Sequence, residues 1–155
     1  MKIYRSFCAR FFAWRSSAQS VNYRIEFWES VALQLVKNGG LTVPRHELVT
    51  VAGKSILLSK RFDGDGEVRI PFLLALSMME MKDGNRGSYP ELVDVLTRDG
   101  TQLKQDSAEL YQRIILNILI SNVDEHLRNH GFLWENKTGW KLFPVYDLNP
   151  VPADV

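Results

Sequence analysis

The stretch that decides the fold runs Ile120-Ser-Asn122-Val-Asp124-Glu-His126-Leu-Arg-Asn129-His-Gly131-Phe132. An apolar run ends in it, Asp124, Glu125, His126, Arg128 and His130 crowd into its middle, and a β-leaning pair closes it. A helix end leaves orphan carbonyls that need polar partners, but not this many ionisable ones. Asp124, His126, Asn129 and, after a short hairpin, Asp147 therefore form a candidate site.

The surroundings set that loop between a helix and a hairpin. Upstream, Ser107 to about Ser121 predicts the strongest helix, with Leu110, Tyr111, Ile114, Ile115, Ile118 and Leu119 as a wide apolar stripe. Asp106 followed by Glu109 resembles a capping box at its start. Downstream, a strand near Gly131–Trp134, a turn at Glu135–Gly139 and a strand at Trp140–Phe143 lead to Asp147. Nearer the N-terminus, Ile25, Trp28, Ala32, Leu35 and Val36 predict a helix from Asn22 to Asn38, capped by Asn22 and stopped by Gly39-Gly40. Leu41-Thr-Val-Pro44 reads as extended. His46–Val51 and Lys54–Leu58 read as a hairpin about Ala52-Gly53, followed by a loop at Phe62-Asp-Gly-Asp-Gly66. Pro71 opens a short helix through Phe72, Leu74, Ala75 and Met78, and Pro90 a second through Leu92, Val93 and Leu96, with a loop at Asp83–Gly87 between them. The class is α+β.

Composition bounds the function. The 155 residues suit one domain, and 45% hydrophobic with 24% charged residues is globular. A net charge of +1 gives no field for coating DNA or membranes, so no direct nucleic-acid contact is expected. The single Cys8 excludes an internal disulfide. No apolar run approaches the ~18 residues of a membrane span. Residues before Glu26 are aromatic, basic and free of acids, like a transit peptide, yet arginines interrupt every apolar stretch. The expectation for 1–21 is a strand-like or irregular remnant.

Spacing sharpens the chemistry. Asp124-x-x-x-x-Asn129 matches the base-to-metal-ligand spacing of a protein-kinase catalytic loop. There the aspartate accepts the substrate hydroxyl's proton and the asparagine coordinates Mg²⁺. A second acid after two strands stands where kinases place their DFG aspartate, here as Tyr146-Asp147-Leu148. Taken singly, Asn122 is a helix cap, His126 satisfies a backbone group and Asp147 is a turn acid. The ordered set of helix, loop, hairpin and acid is what points to chemistry.

That set resembles the HipA-like kinases, bacterial serine/threonine kinases known as toxins of toxin–antitoxin modules. The loop fits the family's N-x-D-x-H-x-x-N-h-x-F motif, and Pro144-Val-Tyr146-Asp147-Leu-Asn-Pro150 fits P-x-Y-D-x-x-P. Leu57-Leu-Ser-Lys60-Arg61-Phe62-Asp63 is similar to its E-R-F-D hinge, with Lys60 in place of the usual glutamate. Glu26 in the first helix, then Gly39-Gly-Leu-Thr-Val-Pro44, keeps the family's order, so the likeness covers about Asn22 to Pro150. It implies a partial kinase-like fold: residues 22–62 as part of an N-lobe with its hinge, and 63–155 as part of a mostly helical C-lobe carrying the catalytic-loop hairpin. It implies Asp124 as catalytic base, His126 as loop support, Asn129 and Asp147 as Mg²⁺ ligands, and Lys60, Arg61 and Phe62 around the adenine of ATP. A cytoplasmic protein is implied as well.

The departures lie upstream and downstream. No glycine precedes Gly39, the only earlier lysine is Lys2 apart from Lys37 within the helix, and Trp14-Arg15-Ser16-Ser17 lacks the family's strand lysine. Family members also continue past Pro150. The resemblance therefore implies a central slice of a kinase, with an apolar patch where further helices would pack. The alternative expectation is an inactive remnant or binding module, completed by a chain that supplies the missing lobe or bound by a HipB-like antitoxin.

Overall fold

The structure, a computed structural model, describes residues 7–10, 25–65, 68–135 and 138–151. Strands β1 (Phe7–Arg10), β2 (His46–Val51) and β3 (Lys54–Lys60) form an antiparallel sheet in the order β1-β3-β2. The β2–β3 register pairs Val51 with Lys54, leaving Ala52 and Gly53 as the turn at φ 49° and 76°. Two consecutive positive φ values make the hairpin turn whose twist suits paired strands, as the sequence predicts. Within the lead-in expected to be strand-like or irregular, Phe7–Arg10 form a strand that pairs with β3. The remainder of that stretch, including the cap expected at Asn22, lies outside the described residues.

Helix α1 (Ile25–Asn38) packs on this sheet through Ala32, Leu33 and Val36, which share a cluster with Leu57, Val145 and Leu148. Trp28 and Leu35, expected in the stripe, are turned outward at 39% and 57% exposure. The sequence places apolar residues on two sides of α1, and only one side meets the sheet. The Gly39-Gly40 stop holds. Leu41 N–H reaches Val36 O and Gly40 N–H reaches Lys37 O, the paired bonds that satisfy a helix's last carbonyls.

A minor ribbon, β4 (Gly64–Asp65) with β5 (Val68–Arg69), leads to the second sheet. Here β6 (Phe72–Leu74), β7 (Gly131–Glu135) and β8 (Gly139–Leu142) pair antiparallel in the order β6-β7-β8. Pro71 thus opens a strand rather than a helix. Phe72 and Leu74 stand opposite Leu133 and Gly131, and α2 (Ala75–Met78) begins only after them. The partner strand lies some sixty positions downstream, so local pattern gave no sign of it.

Helix α3 (Tyr89–Asp99) carries Pro90 in its first turn, and the Glu91 carboxylate accepts both the N–H and the hydroxyl of Ser88. Helix α4 (Leu103–Leu119) follows. Leu92, Val95 and Leu96 of α3 meet Leu110 of α4, Ala75 and Leu142 around Phe132, which is fully buried. Burial of such a side chain contributes roughly 1.5–3 kcal/mol.

Helix α4 overturns its predicted face. Its buried residues are Asp106, Leu110, Arg113 and Asn117, whereas Tyr111, Ile115, Ile118 and Leu119 are exposed, the last at 77%. Asp106 is no cap either. It sits inside the helix, its Oδ2 accepts the Leu142 N–H at 3.0 Å, and burial raises its pKa. The polar residues face inward because the second sheet and the loop after it present unpaired backbone groups there, and a buried polar group must be hydrogen-bonded.

Between β7 and α4 lies an electrostatic tie. Glu135 accepts from Lys141 Nζ at 2.7 Å, Gln102 Nε2 at 2.9 Å and Thr101 Oγ1 at 2.9 Å, which hold its carboxyl at a pKa of about 2 instead of 4.5. A folded pKa below the unfolded value stabilises the fold above pH 4.5, and this contribution is lost as pH falls toward 2. Glu135→Gln should therefore lower stability near neutrality and leave it little changed near pH 2, so that the acid limb of a pH-dependent urea titration flattens in that window.

Candidate active site

The polar loop is positioned from the end of α4. Ser121 adopts φ 53°, Asn122 N–H returns to Asn117 O at 2.9 Å, and Asn122 Nδ2 donates to Asn117 Oδ1 at 3.0 Å. This doubled asparagine link ends the helix without a glycine and turns the chain into Val123–His126. A 3-10 turn, Leu127–Asn129, then leads into β7. Asn129 N–H donates to His126 O at 2.8 Å, and Asn129 Nδ2 donates to Asp124 O at 2.9 Å. Asp124 and Asn129, five residues apart, are thus clasped across the loop.

The segment after β8 returns to the same place. Asn149 Nδ2 donates to Asp124 Oδ2 at 3.2 Å, and the Tyr146 hydroxyl donates to Arg128 O. Asp147 lies between these anchors at φ 60°, a left-handed conformation that aspartate tolerates better than most residues. Val145 N–H donates to Thr42 O at 2.9 Å, tying the segment to the first sheet's side of the molecule.

Behind the loop, Arg113 is buried and donates through Nη2 to Glu109 and to the Phe143 carbonyl. Burial pushes its guanidinium pKa down, partly opposed by Glu109. His130 Nε2 meets Glu125 Oε1, and the Tyr89 hydroxyl lies between Glu125 and Asn117. Burial, reinforced by the Glu125 charge, raises the Tyr89 pKa to about 12, so the phenol stays protonated.

The expected site residues divide accordingly. Asp124 and Asn129 come together, and Asp147 is anchored to their loop on both sides. His126 contributes its carbonyl to the loop, while its Nδ1 is buried without a hydrogen-bond partner among the described residues. In the expected hinge, Lys60 ends β3 with its N–H on Arg45 O, and Arg61 turns to Asp63, which it holds below the usual carboxylate range. Phe62 carries the contact to the segment after β8, packing against the rings of Phe143 and Tyr146. Asn149 and Arg113 were not anticipated. Asn149 reads as a turn residue before Pro150, and Arg113 as a break in an apolar stripe.

The donor chemistry fits magnesium. Asn129 Oδ1 is buried with no hydrogen-bond partner among the described residues, and an amide oxygen, like the carboxylate of Asp147, is a hard donor of the kind magnesium prefers. Among the described residues no group of three or more His, Cys, Asp or Glu could hold a metal ion.

The fold is that of a kinase-like protein. It is similar to HipA in a Shewanella oneidensis MR-1 complex of HipA, HipB and operator DNA, at TM-score 0.68 and 19% identity over 93% of this chain and 37% of that one. It is equally similar to the Helicobacter pylori proinflammatory kinase CtkA, at TM-score 0.69 and 21% identity over 91% of this chain and 50% of that one. A curated Haemophilus influenzae protein named "Putative kinase" is 28% identical over 142 residues, covering 80% of this chain and 41% of its own length. Residues 6–154 match the model of the HipA-like C-terminal domain, and the chain belongs to that family. It spans less than half the length of the curated relative.

Removing Arg113 tests the scaffold. Arg113→Met leaves Glu109 and the Phe143 carbonyl without their buried donor, and breaking a buried pair costs about 3–5 kcal/mol. Equilibrium urea unfolding should show a loss of that size.

Proposed function

We propose that the chain carries the catalytic loop of an ATP-dependent serine/threonine protein kinase. The observation behind this reading is the clasp on Asp124: its carbonyl held by Asn129, its carboxylate by Asn149, with the Asn129 oxygen left free. A carboxylate fixed in an exposed loop suits the orientation of an incoming hydroxyl, which needs no raised pKa. The hydroxyl oxygen of the acceptor bonds to the γ-phosphorus as the bond to the β-phosphate oxygen breaks, ADP leaves, and the proton passes to Asp124 Oδ. Asn129 and Asp147 would hold Mg²⁺, which neutralises phosphate charge. Backbone groups of Lys60–Phe62 would meet the adenine, with the Phe62 ring beside it. His126 supports the loop through its carbonyl. Residues 22–62 act as the N-lobe part and hinge, and 63–155 as the C-lobe part, in a cytoplasmic enzyme.

Phosphoryl transfer from labelled Mg-ATP to a protein mixture is the direct test. Asp124→Asn should lower it by about 10²-fold or more, the usual contribution of a positioned base, while the rise in melting temperature with Mg-ATP persists. Equal labelling by both proteins removes Asp124 from this role.

A second reading is a non-catalytic module completed by a partner chain, either one supplying further kinase structure or a HipB-like antitoxin. The exposed apolar face of α4 favours it: Tyr111 at 65%, Ile118 at 71% and Leu119 at 77% exposure, with Val123 at 82% beyond the helix end. Contiguous apolar surface of this kind marks interaction sites. On this reading a HipB-like protein increases the chain's sedimentation coefficient, and the double substitution Ile118→Glu, Leu119→Glu removes the increase. Unchanged sedimentation of the wild-type mixture excludes that partner.

A further inference from the structure

Beside the catalytic loop, on the face toward α3, opens a cleft of about 440 Å³. One wall is the loop from Asn85 to the start of α3, and the other is formed by Val123, Glu125, His126 and Leu127, with His130 at the back. Its volume falls within the roughly 300–1,000 Å³ of ligand pockets. Val123 and Glu125 flank Asp124, so anything seated here passes next to the proposed base.

The walls are fixed in place. Gly87 lies so close to Leu127 that a Cβ would stand 2.7 Å from Leu127 Cδ1. Arg128 pairs with Asp83, joining the loop before α3 to the 3-10 turn. Tyr89, Glu125 and His130 are bonded to one another deeper in. Within this frame some groups stay uncommitted. The backbone N–H and C=O of Arg86 and Gly87 take no hydrogen bond among the described residues. His130 is 4% exposed, and its Nδ1 has no partner among the described residues. Glu125 is answered by His130, whereas exposed Arg86 has no counter-ion among the described residues.

We propose that this cleft seats the polypeptide segment carrying the acceptor hydroxyl, and that Arg86 selects an acidic side chain beside it. The proposal rests on the kinase reading for the identity of the acceptor. Open backbone groups along one wall suit an extended peptide, which pairs main chain to main chain and gains specificity from side-chain pockets. Leu127 and Val123 offer apolar contact, and the uncompensated guanidinium offers a charge-assisted bond to a carboxylate.

The test separates the two readings. The full chain is passed over immobilised peptides centred on serine or threonine with acidic or basic flanks, without nucleotide. Acidic-flanked peptides should be retained, and Arg86→Glu should weaken their retention on the order of tenfold while Arg86→Lys preserves most of it. Retention that ignores peptide charge, or that Arg86→Glu leaves unchanged, overturns the proposal. The melting temperature with Mg-ATP is read in parallel on the wild-type chain. Charge-selective, Arg86-dependent retention without a nucleotide shift upholds the cleft and removes the kinase reading. A nucleotide shift without such retention upholds the kinase reading and removes the cleft.

Discussion

A guanidinium buried in the middle of the molecule organises what surrounds it. Arg113 projects from the inner face of α4 and bonds the Phe143 carbonyl at the exit of the second sheet. Phe143 N–H in turn bonds Gly131 O at the start of β7. One side chain therefore ties the helix that delivers the Asn122–Asn129 loop to the segment that brings Tyr146, Asp147 and Asn149 back to it. Desolvating that charge is costly, and the two acceptors facing it offset the cost.

The same demand explains why α4 presents its polar residues inward. Asp106 answers Leu142 N–H, Arg113 answers Phe143 O, and Asn117 answers the backbone and side chain of Asn122. Each of these three inward polar residues meets a backbone or side-chain group of the sheet or loop packed against the helix. The apolar residues left over form a continuous exposed face, which a lone domain has little reason to keep. Amphipathic patterning found the helix and assigned it the wrong side.

The site was partly legible. The Asp124-x-x-x-x-Asn129 spacing and the Asp147 that follows the hairpin stand in the sequence itself, and the fold clasps Asn129 onto Asp124 across the loop. The supports were not legible. Asn149 looks like a turn residue until its amide is seen on the Asp124 carboxylate, and Tyr89 looks like core until its hydroxyl is seen beside Glu125. Side-chain bonds between residues dozens of positions apart leave no periodic trace. The hinge residues illustrate the opposite case: Arg61 and Phe62 match a motif where Lys60 departs from it, and the Phe62 ring reaches Phe143 and Tyr146.

The amino-acid sequence determined the local elements: the β2–β3 hairpin through Ala52-Gly53, the stop of α1 at Gly39-Gly40, the helix leading into Ile120–Phe132, and the family that this loop announces. These depend on neighbours a few residues apart, where turn geometry and helical spacing act directly. Tertiary structure alone decided that Phe72–Leu74 is a strand, that α4 faces inward with its polar side, and that Asn149 holds Asp124. Each of those outcomes depends on a partner distant in sequence, and unpaired backbone groups in a buried place chose the partner.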